Sequence, residues 1–458
     1  MDEKVSEWVA AMRGAPDASR QLLAGWLGKQ THRFTITGLS RSGKSMLFTS
    51  LMTMLKYRTE AGYECLPLLT RLPTSLVDSM YMEPLPGFEM FPVDEHLAAL
   101  ESGKWPQATD TAYGFRLIVR LTEQGRFKRW LMPYSEVVFE FIDYPGEWVT
   151  DLPLLEKTYN QWSDSAWAQQ SGGPQHRFST RWREFIQDFD FEQEPTEARI
   201  AEVVSEYRAY LAEAKREGIT MLQPGSFLLE NDSLSLTSMG FSPLPSTVTS
   251  DPSHPWLKAF TANFSAFKKD WLAPLKDKVF READKQIILI DVFEGLNHSR
   301  EHLYQLKETL SHLAETFVYG ESNWLSRTLL RREKISKVAF VGSKADSVPV
   351  SERDALLSLL TQLTEGARAK FGDKEVDFEH FLVSAIEATD EGEARNAVRY
   401  RNQHGDYVEA SFEPFPKTLK DMESDTHYPV LDINVPKDFL PRILNSRGMD
   451  RLLQFLLG

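Results

Sequence analysis

The stretch Gly38-Leu39-Ser40-Arg41-Ser42-Gly43-Lys44-Ser45 decides how the rest of the chain is read. It matches G-x-x-x-x-G-K-[ST], a pattern with a physical mechanism when a strand precedes it and a helix follows. Both conditions hold. Phe34 to Thr37 is a short apolar run, and Met46 to Tyr57 is an apolar stretch of helical length that stops before Arg58 and Thr59. In such a loop the glycines let backbone N–H groups close around the α- and β-phosphates of a nucleotide, and the helix N-terminus adds positive potential. Gly38, Ser40, Arg41, Ser42, Gly43 and Met46 are thus candidate nucleotide-binding residues. Lys44 would reach the β- and γ-phosphates, and the Ser45 hydroxyl would ligate Mg²⁺. A glycine-rich turn with a surface lysine is the plain alternative.

Working outward, short apolar runs alternate with helical patterns, as in a parallel α/β sheet. Phe115 to Leu121, Val137 to Ile142, Ile287 to Phe293, Val338 to Val341 and Phe381 to Ser384 join Phe34 to Thr37 as six expected strands. Helices are expected near Glu301 to Phe317, Glu352 to Phe371 and Arg451 to Leu457. Between about Thr150 and Asp284 the rhythm changes to helix. There Ile200, Val203, Val204, Tyr207, Tyr210 and Leu211 recur at helical spacing behind an N-cap candidate at Thr196. Phe260, Phe264, Phe267 and Trp271 form a second stripe, and both stripes read as ordinary core between packed helices. Asn231 to Pro255, rich in Ser, Thr and Pro, reads as loop. A second interruption, about Glu387 to Arg447, holds a candidate hairpin of Ala397 to Tyr400 and Tyr407 to Ala410, turning through Gln403-His404-Gly405-Asp406. The expected division is a nucleotide-binding core at 1–149 and 285–386, a helical insertion at 150–284, and a region at 387–458 with the hairpin and a last core helix.

Hydrophobic residues make up 42% of the 458 positions, ample for a buried core. The net charge of −14 argues against nucleic-acid binding through bulk phosphate attraction. Cys65 is the only cysteine, so no intramolecular disulfide forms, which suits a reducing cytoplasm. The N-terminus MDEKVSEWVA lacks the order of a signal peptide, and no apolar run approaches membrane-spanning length.

Asp143-Tyr144-Pro145-Gly146 closes the strand Val137 to Ile142. An Asp at that strand end is placed to hold Mg²⁺, and a Gly three residues on can offer its N–H to the γ-phosphate and move when that phosphate leaves. Lys44 and Asp143 lie about a hundred residues apart, so an enlarged first switch falls between them. Thr109 is the preferred threonine to complete the Mg²⁺ site; Thr111, Thr70 and Thr74 are alternatives. Glu147 stands where Ras-like proteins place the glutamine that orients water. A carboxylate facing the γ-phosphate is unfavourable unless protonated or turned away, so slow hydrolysis is expected. Arg41 is a candidate positive charge in cis, or simply faces solvent. Lys44, Gly146, Arg41 and Glu147 are the candidate catalytic set.

Asp291 also closes an apolar strand, with Glu294 behind it. As Mg²⁺ partner and base they would make an ATPase, but Asp291 lacks a glycine at i+3. Ser343-Lys344-Ala345-Asp346 follows Val338 to Val341. In N/T-K-x-D elements the Asp accepts the ring N1–H and the exocyclic amine of guanine; adenine has no N1–H, and the mismatch leaves buried polar groups unpaired. The Lys344 stem would pack along the base. Ser343 replaces the usual Asn and removes an amide that braces the phosphate loop. Ser384 and Ala385 are placed to give a backbone N–H to the guanine oxygen. Arg331, Arg332, Lys334 and Lys337 form a short basic cluster that reads as a solvated face, with an anionic partner or lipid surface as the minority reading. The ten histidines show no metal-ligand spacing.

GLSRSGKS, DYPGEW followed by DLPLL, SKAD, and the stretch from His427 to Pro441, together with the helical span after DYPGEW, resemble the YcjX-like family of bacterial P-loop proteins. The resemblance covers nearly the whole chain. It implies a GTPase-like α/β fold, GTP/GDP and Mg²⁺ as ligands, a role in stress, and a protein effector associated with a membrane. By the same resemblance Gly43, Lys44, Ser45, Asp143, Gly146, Lys344 and Asp346 take the roles argued above. Three functional readings follow: a slow guanine-nucleotide switch, an ATP-driven enzyme using Asp291 and Glu294, and a scaffold that holds nucleotide without turnover.

Overall fold

The computed structural model describes residues 30–38, 41–58, 65–66, 69, 77–107, 111–122, 135–171, 175–217, 219, 222–229, 239–280, 283–298, 300, 302–304, 306–307, 309–311, 335–371, 376–422 and 428–457. Seven strands make the central sheet: β1 (Thr31–Gly38), β2 (Val77–Pro84), β3 (Tyr113–Leu121), β4 (Glu136–Asp143), β5 (Lys285–Ile290), β6 (Lys337–Gly342) and β7 (Asp377–Leu382). Their order is β2-β3-β4-β1-β5-β6-β7. From β4 through β7 the strands run parallel; β3 and β2 extend the β4 edge antiparallel. The chain is thus α/β, with a mostly parallel sheet flanked by helices.

Among the described residues, the α-helices longer than four residues are, in chain order, α1 (Lys44–Tyr57), α2 (Val93–Glu101), α3 (Gly146–Asp151), α4 (Tyr159–Ser171), α5 (His176–Asp188), α6 (Glu197–Arg216), α7 (Pro255–Phe267), α8 (Ala273–Phe280), α9 (Val292–His298), α10 (Arg353–Phe371), α11 (Phe439–Leu444) and α12 (Met449–Leu457). Strand period puts neighbours on opposite faces. Ile287 packs with Leu47, Phe48, Leu452 and Leu456 on the side of α1 and α12, while Ile288 packs with Leu356, Leu359 and Leu363 on the side of α10. The rings of Phe34, Phe141 and Phe115 stack in series at 4.7 and 4.9 Å through the first core.

Several elements differ from the sequence reading: β7 begins four residues before the expected Phe381, a short helix at Ser246–Thr249 falls within the expected loop, and two further differences have a clear physical cause. β2 is missing from the six expected strands, because VDSMYMEP neither alternates nor forms an apolar run. It is an edge strand of half-buried side chains, held extended by pairing with β3. β5 stops at Ile290 rather than Phe293, because Asp291 Oδ1 accepts the Glu294 N–H at 2.9 Å and caps α9.

The described residues between β4 and β5 form helices and turns. The α6 stripe of Val203, Val204, Tyr207, Tyr210 and Leu211 shares one buried cluster with Phe260, Phe264 and Phe267 of α7; Ile200 and Trp271 pack partly buried against it. Thr196 stands at the α6 N-cap with extended backbone and no side-chain capping bond. After β7, β8 (Thr389–Glu391), β9 (Ala397–Arg401) and β10 (Tyr407–Ser411) form a small antiparallel sheet, β9 and β10 turning through Gly405 at φ 93°. No described helix is long and apolar enough to cross a membrane.

The strand order fixes where a ligand can sit. After β1 the chain passes to the far edge at β2 and returns through β3 to β4 beside β1, then crosses to β5 on the other side, so a crevice opens beyond the C-terminal ends of the strands flanking β1. Gly38, Asp143, Asp291, Ser343 and Ser384 all lie at or just past those ends.

Candidate functional site

The loop after β1 is shaped by steric necessity. A Cβ at Gly38 would lie 2.5 Å from Ser42 Oγ and 2.8 Å from the Leu289 carbonyl oxygen. Arg41 and Gly43 adopt left-handed backbone, φ 65° and 85°, and Gly43 caps α1, whose first turn has no acidic residue. Ser42 Oγ is buried without a hydrogen-bond partner. Lys44 Nζ donates back to Gly38 O at 3.3 Å. A left-handed cradle, an orphaned hydroxyl and a helix N-terminus with no carboxylate of its own fit an anion such as a phosphate. Ser45 lies in the first turn of α1, and its carbonyl accepts a hydrogen bond from Thr49 Oγ1 at 2.8 Å. Ser40 and Thr109 lie outside the described residues, as do Thr70, Thr74, Arg331, Arg332 and Lys334; Thr111 is described and exposed.

Asp143 ends β4, fully buried, paired in register with Ile36 of β1. No group of three or more acidic, His or Cys side chains that could hold a metal occurs among the described residues. The donors at hand, one hydroxyl and one carboxylate, suit Mg²⁺, which takes few protein ligands and completes its shell with phosphate and water.

Gly146 begins α3, and α3 is bound tightly to the segment after α6. Asp151, wholly buried, accepts the N–H groups of Gly225 and Ser226 at 2.7 and 2.8 Å. Burial pushes its carboxyl up to about 7. Gln223 Nε2 donates to Thr150 O at 2.6 Å. A Cβ on Gly225 would lie 2.6 Å from Glu147 O. Trp148 meets Trp271 edge to face at 5.2 Å. Glu147 turns toward α6, its Oε1 2.8 Å from Lys215 Nζ. Arg41 points the same way, Nη2 donating to Arg216 O at 2.9 Å.

At the other end of the crevice, Ser343 faces Gly43: a Cβ added to that glycine would stand 3.8 Å from Ser343 Cβ. Lys344, left-handed at φ 55°, sends its Nζ to Asp291 Oδ2 at 2.6 Å, with Glu294 at 3.9 Å. Burial works against that ammonium, but Asp291 and Glu294 outweigh it and its pKa is raised. Burial, followed by the Asp291 charge, pushes Glu294 up to about 7. Asp346 is buried, accepts the Ala388 N–H at 3.0 Å, and is pushed up to about 7 by burial and then by Glu387. The Ser384 N–H is committed to Arg447 O at 3.1 Å.

A cavity of about 790 Å³ unites the two ends: Arg41, Gly43 and Met46 from the first loop line it with Ser343, Lys344, Asp346 and Ala385. Gly38, Lys44, Ser45, Asp143, Gly146 and Glu147 are not in its wall. Sequence reasoning missed Trp105, whose indole donates to Ile433 O at 2.8 Å, and Val430 to Ile433, which line the same cavity. The only signal for the latter was the His427 to Pro441 resemblance. It missed Lys215 and Arg216 entirely, since a basic pair at a helix C-terminus is ordinarily read as complementing the helix dipole.

The family model for the YcjX-like family, DUF463, matches residues 32–458. The chain is similar to a protein of Escherichia coli (strain K12) named Ras-like GTPase YcjX, 29% identical over 79% of each chain. It is similar also to a protein of that name from Shewanella oneidensis, 24% identical over 79% of this chain and 78% of the relative.

Proposed function

The chain belongs to the YcjX-like family, DUF463, and from that premise we propose that it is a guanine-nucleotide switch with slow GTP hydrolysis, acting in a bacterial stress response. The observation that carries the reading is the shared cavity, in which the phosphate-binding loop and the Lys344–Asp346 element face one space. Gly38 to Ser45 hold the phosphates, with Ser45 and Asp143 on Mg²⁺. Bound Mg²⁺ neutralises charge on the phosphate oxygens; Lys44 adds the protein's own cation. Asp346 accepts both guanine N–H groups, and Ala385, whose neighbour Ser384 has its N–H committed elsewhere, donates to the guanine oxygen. Gly146 senses the γ-phosphate. Its motion passes through Asp151 into the helical insertion, because α3 and residues 223–226 share hydrogen bonds that hold them together.

The ATPase reading has an observation against it. Both Asp291 oxygens are occupied, one capping α9 and one on Lys344, at the base end of the crevice rather than beside Asp143. Calorimetric titration with GDP and ADP in Mg²⁺ separates the readings: GDP binds at least about a hundredfold tighter, on the scale of rejecting a ligand that leaves buried polar groups unpaired. Equal affinities overturn the guanine assignment.

A further inference from the structure

Glu147 poses a problem for any γ-phosphate beside Gly146, since like charges repel strongly where water is excluded. The geometry resolves it. Glu147 Oε1 lies 2.8 Å from Lys215 Nζ, the two side chains 11% and 33% exposed. One residue on, the carbonyl of Arg216 receives Arg41 of the phosphate loop, and Glu217 shares the cavity wall with Arg41 and Gly43. The C-terminal end of α6 therefore touches both the loop that holds the phosphates and the residue next to the sensing glycine.

We propose that Lys215 is the cation that the helical insertion delivers in cis to the γ-phosphate, and that Glu147 is the residue positioning it. The proposal rests on the guanine-nucleotide reading above. An ammonium has three N–H donors, so Lys215 can keep Glu147 and still take a phosphate oxygen. In the hydrolysis, a water oxygen bonds to the γ-phosphorus. The bond from that phosphorus to the bridging oxygen breaks, its electron pair stays on GDP, and the water proton ends on the released phosphate. A cation held beside the γ-oxygens stabilises their charge through this transfer. Lys215 touches substrate and is catalytic; Glu147 acts through it. A partly exposed ion pair with no further role contributes little to stability and nothing to rate, which makes the two roles separable.

The test uses the full chain with Mg²⁺, measuring GDP and GTP affinity and single-turnover hydrolysis, with circular dichroism to check folding. Lys215→Ala should keep GDP affinity within about twofold, bind GTP about tenfold more weakly and hydrolyse it at least about tenfold more slowly, the scale of losing one charge-stabilising group. Lys215→Gln, which keeps most of the stem, carries the same expectation, and Lys215→Arg should restore GTP affinity. Glu147→Gln combined with Lys215→Ala should regain GTP affinity by removing the uncovered carboxylate, yet stay slow. Wild-type GTP affinity and rate in Lys215→Ala or Lys215→Gln would overturn the proposal and leave the pair as a brace. If the unmodified chain bound no guanine nucleotide, the site reading would fall first and this proposal with it.

Discussion

A methyl group at Gly38 would meet a backbone oxygen, Leu289 O, at 2.8 Å, and a backbone oxygen cannot swing aside as a side chain can. Gly38→Ala should therefore cost about 2 kcal/mol of stability by overpacking, read as a shift of the urea midpoint. An unchanged midpoint would show that the loop is laxer than described. Asp346 carries a second residue-scale expectation. As a base reader it must be ionised, and burial with Glu387 beside it, offset by the Ala388 N–H and Arg353, sets its carboxyl at about 7. Below that value the protonated form offers a proton where guanine also offers one, so affinity falls with falling pH. GDP should bind about tenfold more weakly at pH 6 than at pH 8, one unit of protonation being a factor of ten; a flat profile would count against the role. The left-handed turn after β1 and the buried Asp346 after β6 were legible because the motifs that place them are contiguous in sequence. The engagement of Lys344 with Asp291 and Glu294 was not, since it joins two strand ends that only the β5–β6 pairing brings together.

The joint between α3 and the segment after α6 belongs to the scale of elements. Asp151 reaches Gly225 across 74 residues of sequence, a separation at which no pattern in the chain announces a contact. Helices α6 and α7 were readable from their apolar stripes; how they dock was not, because an apolar stripe says that a face is buried and not against what. Replacing Asp151 by Ala leaves two buried N–H groups without acceptors and should destabilise the fold by about 3 kcal/mol. Asp151→Asn, which keeps an acceptor, should lose less. Calorimetric unfolding of both variants checks the order. An Ala variant as stable as the parent would mean that the joint is held by packing alone. β2 shows the converse limit, an edge strand whose extension depends on β3 and which its own residues do not declare.

For the whole molecule, the proposed switch makes the helical span from α4 to α8 a lever moved by Gly146. Trp148 of α3 and Trp271, beyond α7, touch across that joint, so intrinsic fluorescence should differ between GDP and a non-hydrolysable GTP analogue. Hydrogen exchange at 146–151 and 223–226 should change together. Identical spectra and exchange in the two states would remove the switch while leaving nucleotide binding intact. Central to everything is the identity of the nucleotide, and the most direct test inverts its hydrogen-bond code. Xanthine differs from guanine in offering a carbonyl where guanine offers its amine. Asp346→Asn turns one acceptor oxygen into an NH₂ donor that matches that carbonyl. The measurement is calorimetric titration of the parent and Asp346→Asn with GDP and with xanthosine diphosphate. The parent should prefer GDP, and the variant should lose GDP affinity and gain affinity for xanthosine diphosphate. If the variant binds both as the parent does, Asp346 does not read the base, and the guanine assignment is wrong.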